Sequence, residues 1–178
     1  VMTAAAAWGD QPAVTLQNPS FEQGTNGYWV NRPTRVRIDT ETSSHGMQCL
    51  GLELPAQEAV STVQFVPNRT GMTYRLALDV KGDPGTSLQV KLMLQGRKPI
   101  MFWMPPGHKA AEYAVTPVSG WTRREFVFGP LPEQAQGQQV EKIGFYLDAA
   151  AGNNPGKVWL DNLTLTVLPA MTAAVKNG

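Results

Sequence analysis

Two acids stand near opposite ends of this chain, each set among apolar residues of strand type. Glu22 lies in Asn18-Pro19-Ser20-Phe21-Glu22-Gln23-Gly24, and Asp161 lies in Val158-Trp159-Leu160-Asp161-Asn162-Leu163-Thr164-Leu165. If the first and last strands lie side by side, the two carboxylates approach each other. Carboxylates that close need a cation, and a hard one such as Ca²⁺ takes oxygen ligands of this kind. A pair of acids is also the minimum equipment for glycoside hydrolysis, and Asp79 with Asp148 is the pair to nominate for it. The remaining catalytic signatures are missing. The chain has no Gly-x-Ser-x-Gly elbow, no His-Glu-x-x-His and no phosphate-cradling glycine motif. His45 and His108, its two histidines, sit on separate turns. The expectation is a protein without catalysis of its own.

The elements that must position these residues are strands. Leu50, Leu52 and Leu54 alternate with other residues, as do Leu76, Leu78 and Val80, then Leu88, Val90, Leu92 and Leu94, then Ile143, Phe145 and Leu147. Period two is the mark of a half-buried strand. Trp159, Leu163, Leu165 and Val167 form a last series, with a phase shift near Asp161. Turn signals divide the runs at Gly82-Asp83-Pro84-Gly85, Pro105-Pro106-Gly107, Gly129-Pro130 and Gly152-Asn153-Asn154-Pro155-Gly156. With no amphipathic helix between them, short strands at this spacing predict an all-β sandwich of the jelly-roll type.

At 178 residues the chain suits one domain with a substantial core. The pattern places the folded unit at 13–169, with 1–12 as a linker or signal remnant and 170–178 as a linker. A net charge of +1 gives no broad field for nucleic acid or an anionic membrane, and no run approaches the roughly 18 apolar residues of a membrane span. Cys49, the single cysteine, excludes an intrachain disulfide and reads as a small buried hydrophobe.

Four segments in series carry a resemblance. They are the Asn18–Gly24 motif, Gly71-Met72-Thr73-Tyr74-Arg75-Leu76-Ala77-Leu78-Asp79-Val80-Lys81, Gly120-Trp121-Thr122-Arg123-Arg124-Glu125-Phe126, and Val158-Trp159-Leu160-Asp161-Asn162-Leu163. In this order they resemble the carbohydrate-binding modules of the family 4/9/22 type, which are galactose-binding-domain-like jelly rolls. The resemblance implies a non-catalytic, secreted or cell-surface module. It would carry an attached polysaccharide-degrading enzyme to a glycan chain and be monomeric as an isolated domain. It also implies a structural calcium ion held by Glu22 and Asp161, with backbone carbonyls of the Ser44 to Gly46 turn and an oxygen from Glu41 or Asn18.

Sugar rings present apolar C–H faces and rims of hydroxyls, so a site for them needs aromatic platforms beside short polar side chains. Of five tryptophans, Trp121 and Trp159 read as packing residues and Trp8 as part of the tail. Trp29, in a glycine-containing loop, is divided between packing and a ligand. In Ile100-Met101-Phe102-Trp103-Met104, alternation puts Met101 and Trp103 on one face and Phe102 and Met104 on the other. The expected platforms are Trp29, Trp103 and Tyr146, and the expected polar partners are Arg75, Lys91, Gln95 and Asp148, the last four with Tyr146 on one concave sheet face and Trp29 on a loop at its rim. Arg75, Lys91 and Arg37 would make that groove basic and suited to uronic or sulfated sugars. The alternative is an interdomain module that packs against a catalytic domain through the apolar run 100–104.

Overall fold

The structure, a computed structural model, describes residues 14–168; the expected flanking segments 1–12 and 170–178 lie outside the described residues. Its strands in chain order are β1 (Trp29–Val30), β2 (Val36–Asp39), β3 (Cys49–Leu54), β4 (Ala59–Pro67), β5 (Thr73–Gly82), β6 (Thr86–Gln95), β7 (Pro99–Trp103), β8 (Ala114–Val115), β9 (Thr122–Phe128), β10 (Gln134–Ala135), β11 (Gln138–Gln139), β12 (Lys142–Ala151) and β13 (Gly156–Leu168). The described helices are two short 3-10 turns, Pro33–Arg35 and Ala110–Tyr113. Among the described residues no helix is long and apolar enough to cross a membrane.

Two antiparallel sheets face each other. The first has the order β1-β4-β12-β6-β7, with β8 also against β6; the second has the order β2-β3-β13-β5-β9. The leucine series fill the space between them. Leu50, Leu52, Leu76, Leu78 and Val80 from the second sheet are fully buried, as are Leu88, Leu92, Leu94 and Ile143 from the first. Each such side chain withdrawn from water contributes about 1.5–3 kcal/mol, so the alternation itself fixes which face of every strand turns inward. This is the all-β jelly-roll sandwich that the strand pattern predicts.

The phase shift expected near Asp161 is a bulge in the β13–β5 ladder between Asp161 and Thr164, where Asn162 adopts φ 48°. Before the bulge Val158 and Leu160 face the core, and after it Leu163 does. Trp159 therefore points out of the sandwich. It lies over Gly51, 3.6 Å from the position a Cβ would take there, and its indole N–H donates to Asp39 Oδ2 at 2.8 Å. Lys81 Nζ stands 4.7 Å from the Trp159 ring and 5.6 Å from that of Trp121. These two tryptophans pack, as expected, but on the outside of the second sheet.

Candidate functional site

The outer face of the first sheet is built in rows, because residues paired across antiparallel strands share a face. One row runs Trp29, Val63, Tyr146, Lys91. A second runs Ser61, Asp148, Gln89, and a third Phe65, Gly144, Met93, Phe102. Val63, 1% exposed and outside the core cluster, lies between Trp29 and Tyr146 in its row. Trp29, Phe65 and Phe102 remain exposed. Tyr146 meets Phe65 edge-on at 6.3 Å and Phe102 at 5.1 Å between ring centroids. A glycine at 144 is what lets Phe65 lie across β12: a Cβ there would stand 2.6 Å from Phe65 Cε1.

Polar groups lie within the aromatic rows. Lys91 Nζ is 2.5 Å from Asp148 Oδ2 and 5.7 Å from the Phe102 ring centroid. The other Asp148 oxygen accepts the Ser61 hydroxyl at 2.7 Å. Ser61 N–H donates to the Asn31 side-chain oxygen at 2.9 Å, and Gln89 Nε2 donates to the Ala110 carbonyl at 3.0 Å. Gln95 stands farther along, opposite Lys142. The result is a strip of apolar ring faces interleaved with oriented hydroxyl, amide and carboxylate groups. Such a strip stacks on C–H faces and exchanges hydrogen bonds with hydroxyls.

Five of the expected ligand residues, Trp29, Lys91, Gln95, Tyr146 and Asp148, thus come together on one sheet face. Two do not join them. Trp103 pairs with Leu92, a fully buried residue, and packs half-buried against the core. Its neighbour Phe102 takes the outward place, opposite Met93. Arg75 lies on β5, which belongs to the second sheet, and its Nε is 3.2 Å from Glu125 Oε1. The cause is the connection from β5 to β6. The Asp83–Gly85 turn joins strands that do not pair and carries the chain from one sheet to the other. For the same reason Asp79 and Asp148 lie in opposite sheets, each turned outward, and form no acid pair. The basic groove also dissolves: Arg37 pairs with Glu53 on the second sheet, and Lys91 with Asp148.

Phe102, Phe65 and Ser61 were outside the expected set. Phe102 was available from the alternation in 100–104, with its phase inverted. Phe65 and Ser61 sit on β4, whose inward positions include Thr62 and Gln64. The Gln64 amide accepts from Gln17 N at 2.8 Å and donates to the Gln17 and Gly27 carbonyls. This buried polar anchor obscures the apolar alternation that marks the other strands.

Glu22 and Asp161 converge on one turn. Asp161 Oδ2 accepts the Ser44 and His45 N–H groups at 2.7 and 2.8 Å, and its Oδ1 accepts the Asn162 N–H at 2.7 Å. Glu22 Oε1 accepts the Met47 and Gln48 N–H groups at 2.7 and 3.0 Å. Gly46, at φ +71°, leaves room for the Glu22 carboxylate, with which a Cβ would collide. Asp161 is fully buried, and among the described residues no Lys, Arg or His pairs with it or with Glu22. Glu22 is exposed, and the two carboxylates are met by five backbone N–H donors, which favour the charged form of a carboxylate. No three His, Cys, Asp or Glu side chains cluster as a metal-holding group among the described residues, so an ion here would draw its other ligands from carbonyl and hydroxyl oxygens.

No protein-family model matches the chain, and no curated protein matches it. Solved structures do. A family 61 carbohydrate-binding module, TmCBM61, solved with β-1,4-galactotriose, is 16% identical; the match covers 87% of this chain and 99% of that one, with a TM-score of 0.59. The xylan-binding CBM22-1 domain of Paenibacillus barcinonensis Xyn10C is 14% identical over 88% of this chain and 96% of that one, at 0.56. A cyclase from Fischerella sp. TAU is 13% identical over 89% and 99%, at 0.59. Binding modules and an enzyme thus share this architecture, and the likeness is one of fold. The chain has the jelly-roll sandwich fold of the carbohydrate-binding modules.

Proposed function

We propose that the chain is a non-catalytic carbohydrate-binding module whose outer first-sheet face holds a neutral glycan chain. The observation that carries this reading is the row Trp29, Val63, Tyr146, Lys91, flanked by Phe65 and Phe102 and threaded with Ser61, Gln89 and Asp148. Aromatic faces would stack on pyranose rings while the oriented polar groups bond hydroxyls. The central charges neutralise each other, which favours uncharged sugars over the uronic or sulfated sugars that a basic groove would suit. The β-1,4-galactotriose named for one of the similar structures is an uncharged sugar.

In this reading the module is extracellular and holds an attached polysaccharide-degrading enzyme near its substrate, so that modest affinity raises local concentration. Calcium, when bound, would supply positive charge between Glu22 and Asp161 and fasten the Ser44–Gln48 turn to β13, away from the sugar face. Migration in native gels containing galactan, xylan or polygalacturonate tests the reading. Retardation by a neutral polysaccharide and none by the acidic one supports it; retardation by the acidic one alone overturns it.

The exposure of Met101, Phe102 and Met104 favours a second reading, in which this edge docks on a neighbouring domain. A docking module in isolation would self-associate, and a sugar binder would sediment as a monomer.

A further inference from the structure

The edge of the proposed sugar face is interrupted. Strand β8 pairs with β6 at Leu88 and Gln89, and β7 pairs with it from Leu92 onward. On this edge of β6, the one away from β12, no strand among the described residues runs beside Val90 and Lys91, and a cavity of about 480 Å³ opens there, within the range of small-molecule sites. Its walls are mainly Phe102, Trp103, Met104, Tyr113 and Phe128, with Lys91 at the seam between cavity and face and Gln89 beside it, the Gln89 amide donating to the Ala110 carbonyl at 3.0 Å. Tyr113 stacks on Phe128 at 4.6 Å, and its hydroxyl is committed to the Val127 carbonyl at 2.8 Å. The Tyr113 hydroxyl therefore has no donor left for an occupant of the cavity.

A sugar ring is a poor occupant. Each hydroxyl taken from water into such a lining without a partner costs about 1–3 kcal/mol. A planar aromatic ring has no such cost and gains contact with Trp103, Met104 and Phe102. Because Phe102 and Lys91 border both sites, a group in the cavity and a chain on the face would be near enough to belong to one molecule. We infer that the cavity receives an aromatic substituent carried by the glycan, so that the preferred ligand is an aryl-substituted sugar chain. This inference rests on the glycan reading of the adjoining face.

The test is calorimetric titration with phenyl and methyl β-glycosides of xylobiose and galactobiose. Wild-type protein is compared with Trp103→Ala and with Met104→Glu, the latter placing a charge at a partly exposed position that does not threaten the fold. The expected result is about tenfold tighter binding of a phenyl glycoside than of its methyl counterpart, lost in Met104→Glu, with methyl-glycoside affinity unchanged. Equal affinities on wild-type protein, or an advantage that persists in both variants, overturn the cavity proposal while leaving the glycan face standing. Phenyl glycosides that bind in a Met104-dependent way while methyl glycosides do not bind keep the cavity and overturn the face. Failure of every glycoside overturns both.

Discussion

Lys91 and Asp148 form a diagonal ion pair across β6 and β12, with Nζ 2.5 Å from Oδ2, at the middle of the face that carries the exposed aromatics. The pair lies two residues from register, on the same face: Lys91 is opposite Tyr146, and Asp148 is opposite Gln89. The lysine thereby leans across the aromatic row, and its charge is balanced where a ligand would lie.

A balanced pair predicts weak dependence of binding on salt. Raising NaCl from 50 to 500 mM should change glycan affinity by less than about twofold, because a neutral ligand displaces no counterions and nearby paired charges are little screened. Calorimetry at both salt concentrations checks this. Asp148→Ala should weaken binding by about tenfold, since it frees Lys91 and removes the acceptor that orients Ser61.

Gly144 supports the face sterically. Gly144→Ala puts a methyl group against Phe65 and should destabilise the domain by about 1–3 kcal/mol, the usual cost of overpacking. Phe65→Ala in the same chain should recover most of that loss, because it removes the colliding ring. Denaturant melts of the two single variants and the double variant measure the recovery.

The turn held by Glu22 and Asp161 predicts a calcium effect. Protein stripped of metal should melt about 5–10 °C below protein in calcium at a hundred times its dissociation constant, since such binding stabilises by about 2.7 kcal/mol. Asp161→Asn should abolish the difference. An identical melting temperature with and without calcium would mean that the five N–H bonds to these carboxylates hold the turn without an ion.

Cys49 is fully buried and its S–H donates to the Thr42 carbonyl at 2.9 Å. Burial pushes the thiol up to about 12; the charges of Asp39 and Asp161 add to the rise, and Lys81 opposes it. Maleimide should therefore fail to label the native protein, and the rate should not climb between pH 7 and 9 as a free thiol's would. The sign for stability follows by linkage. Above the ordinary thiol value of about 8.5 the unfolded chain ionises and the folded one does not, so this residue's contribution declines as pH rises. Labelling of folded protein at the rate of the urea-unfolded chain would contradict this.

How much of this was legible in the sequence depended on one-dimensional rules. The leucine series revealed the strands and their inward faces, because burial enforces period two. The same parity put Lys91, Gln95, Tyr146 and Asp148 on outward positions of strands that prove to be neighbours. Arg75 was misplaced because parity says which face a residue takes but not which sheet its strand joins. Trp103 and Phe102 were exchanged because both are large and apolar, and only the register with Leu92 and Met93 separates them. Phe65 was hidden by Gln64, whose burial is satisfied by the backbone of a segment far away in sequence.

The central claim is that the aromatic rows bind sugar. Native gels containing a neutral polysaccharide should compare wild-type protein with Trp29→Ala/Phe102→Ala/Tyr146→Ala, after circular dichroism shows the variant folded. The account predicts retardation of the wild type and its loss in the triple variant, since each ring contact is worth about 0.5–1.5 kcal/mol. Equal retardation of both proteins would place the sugar elsewhere and contradict it.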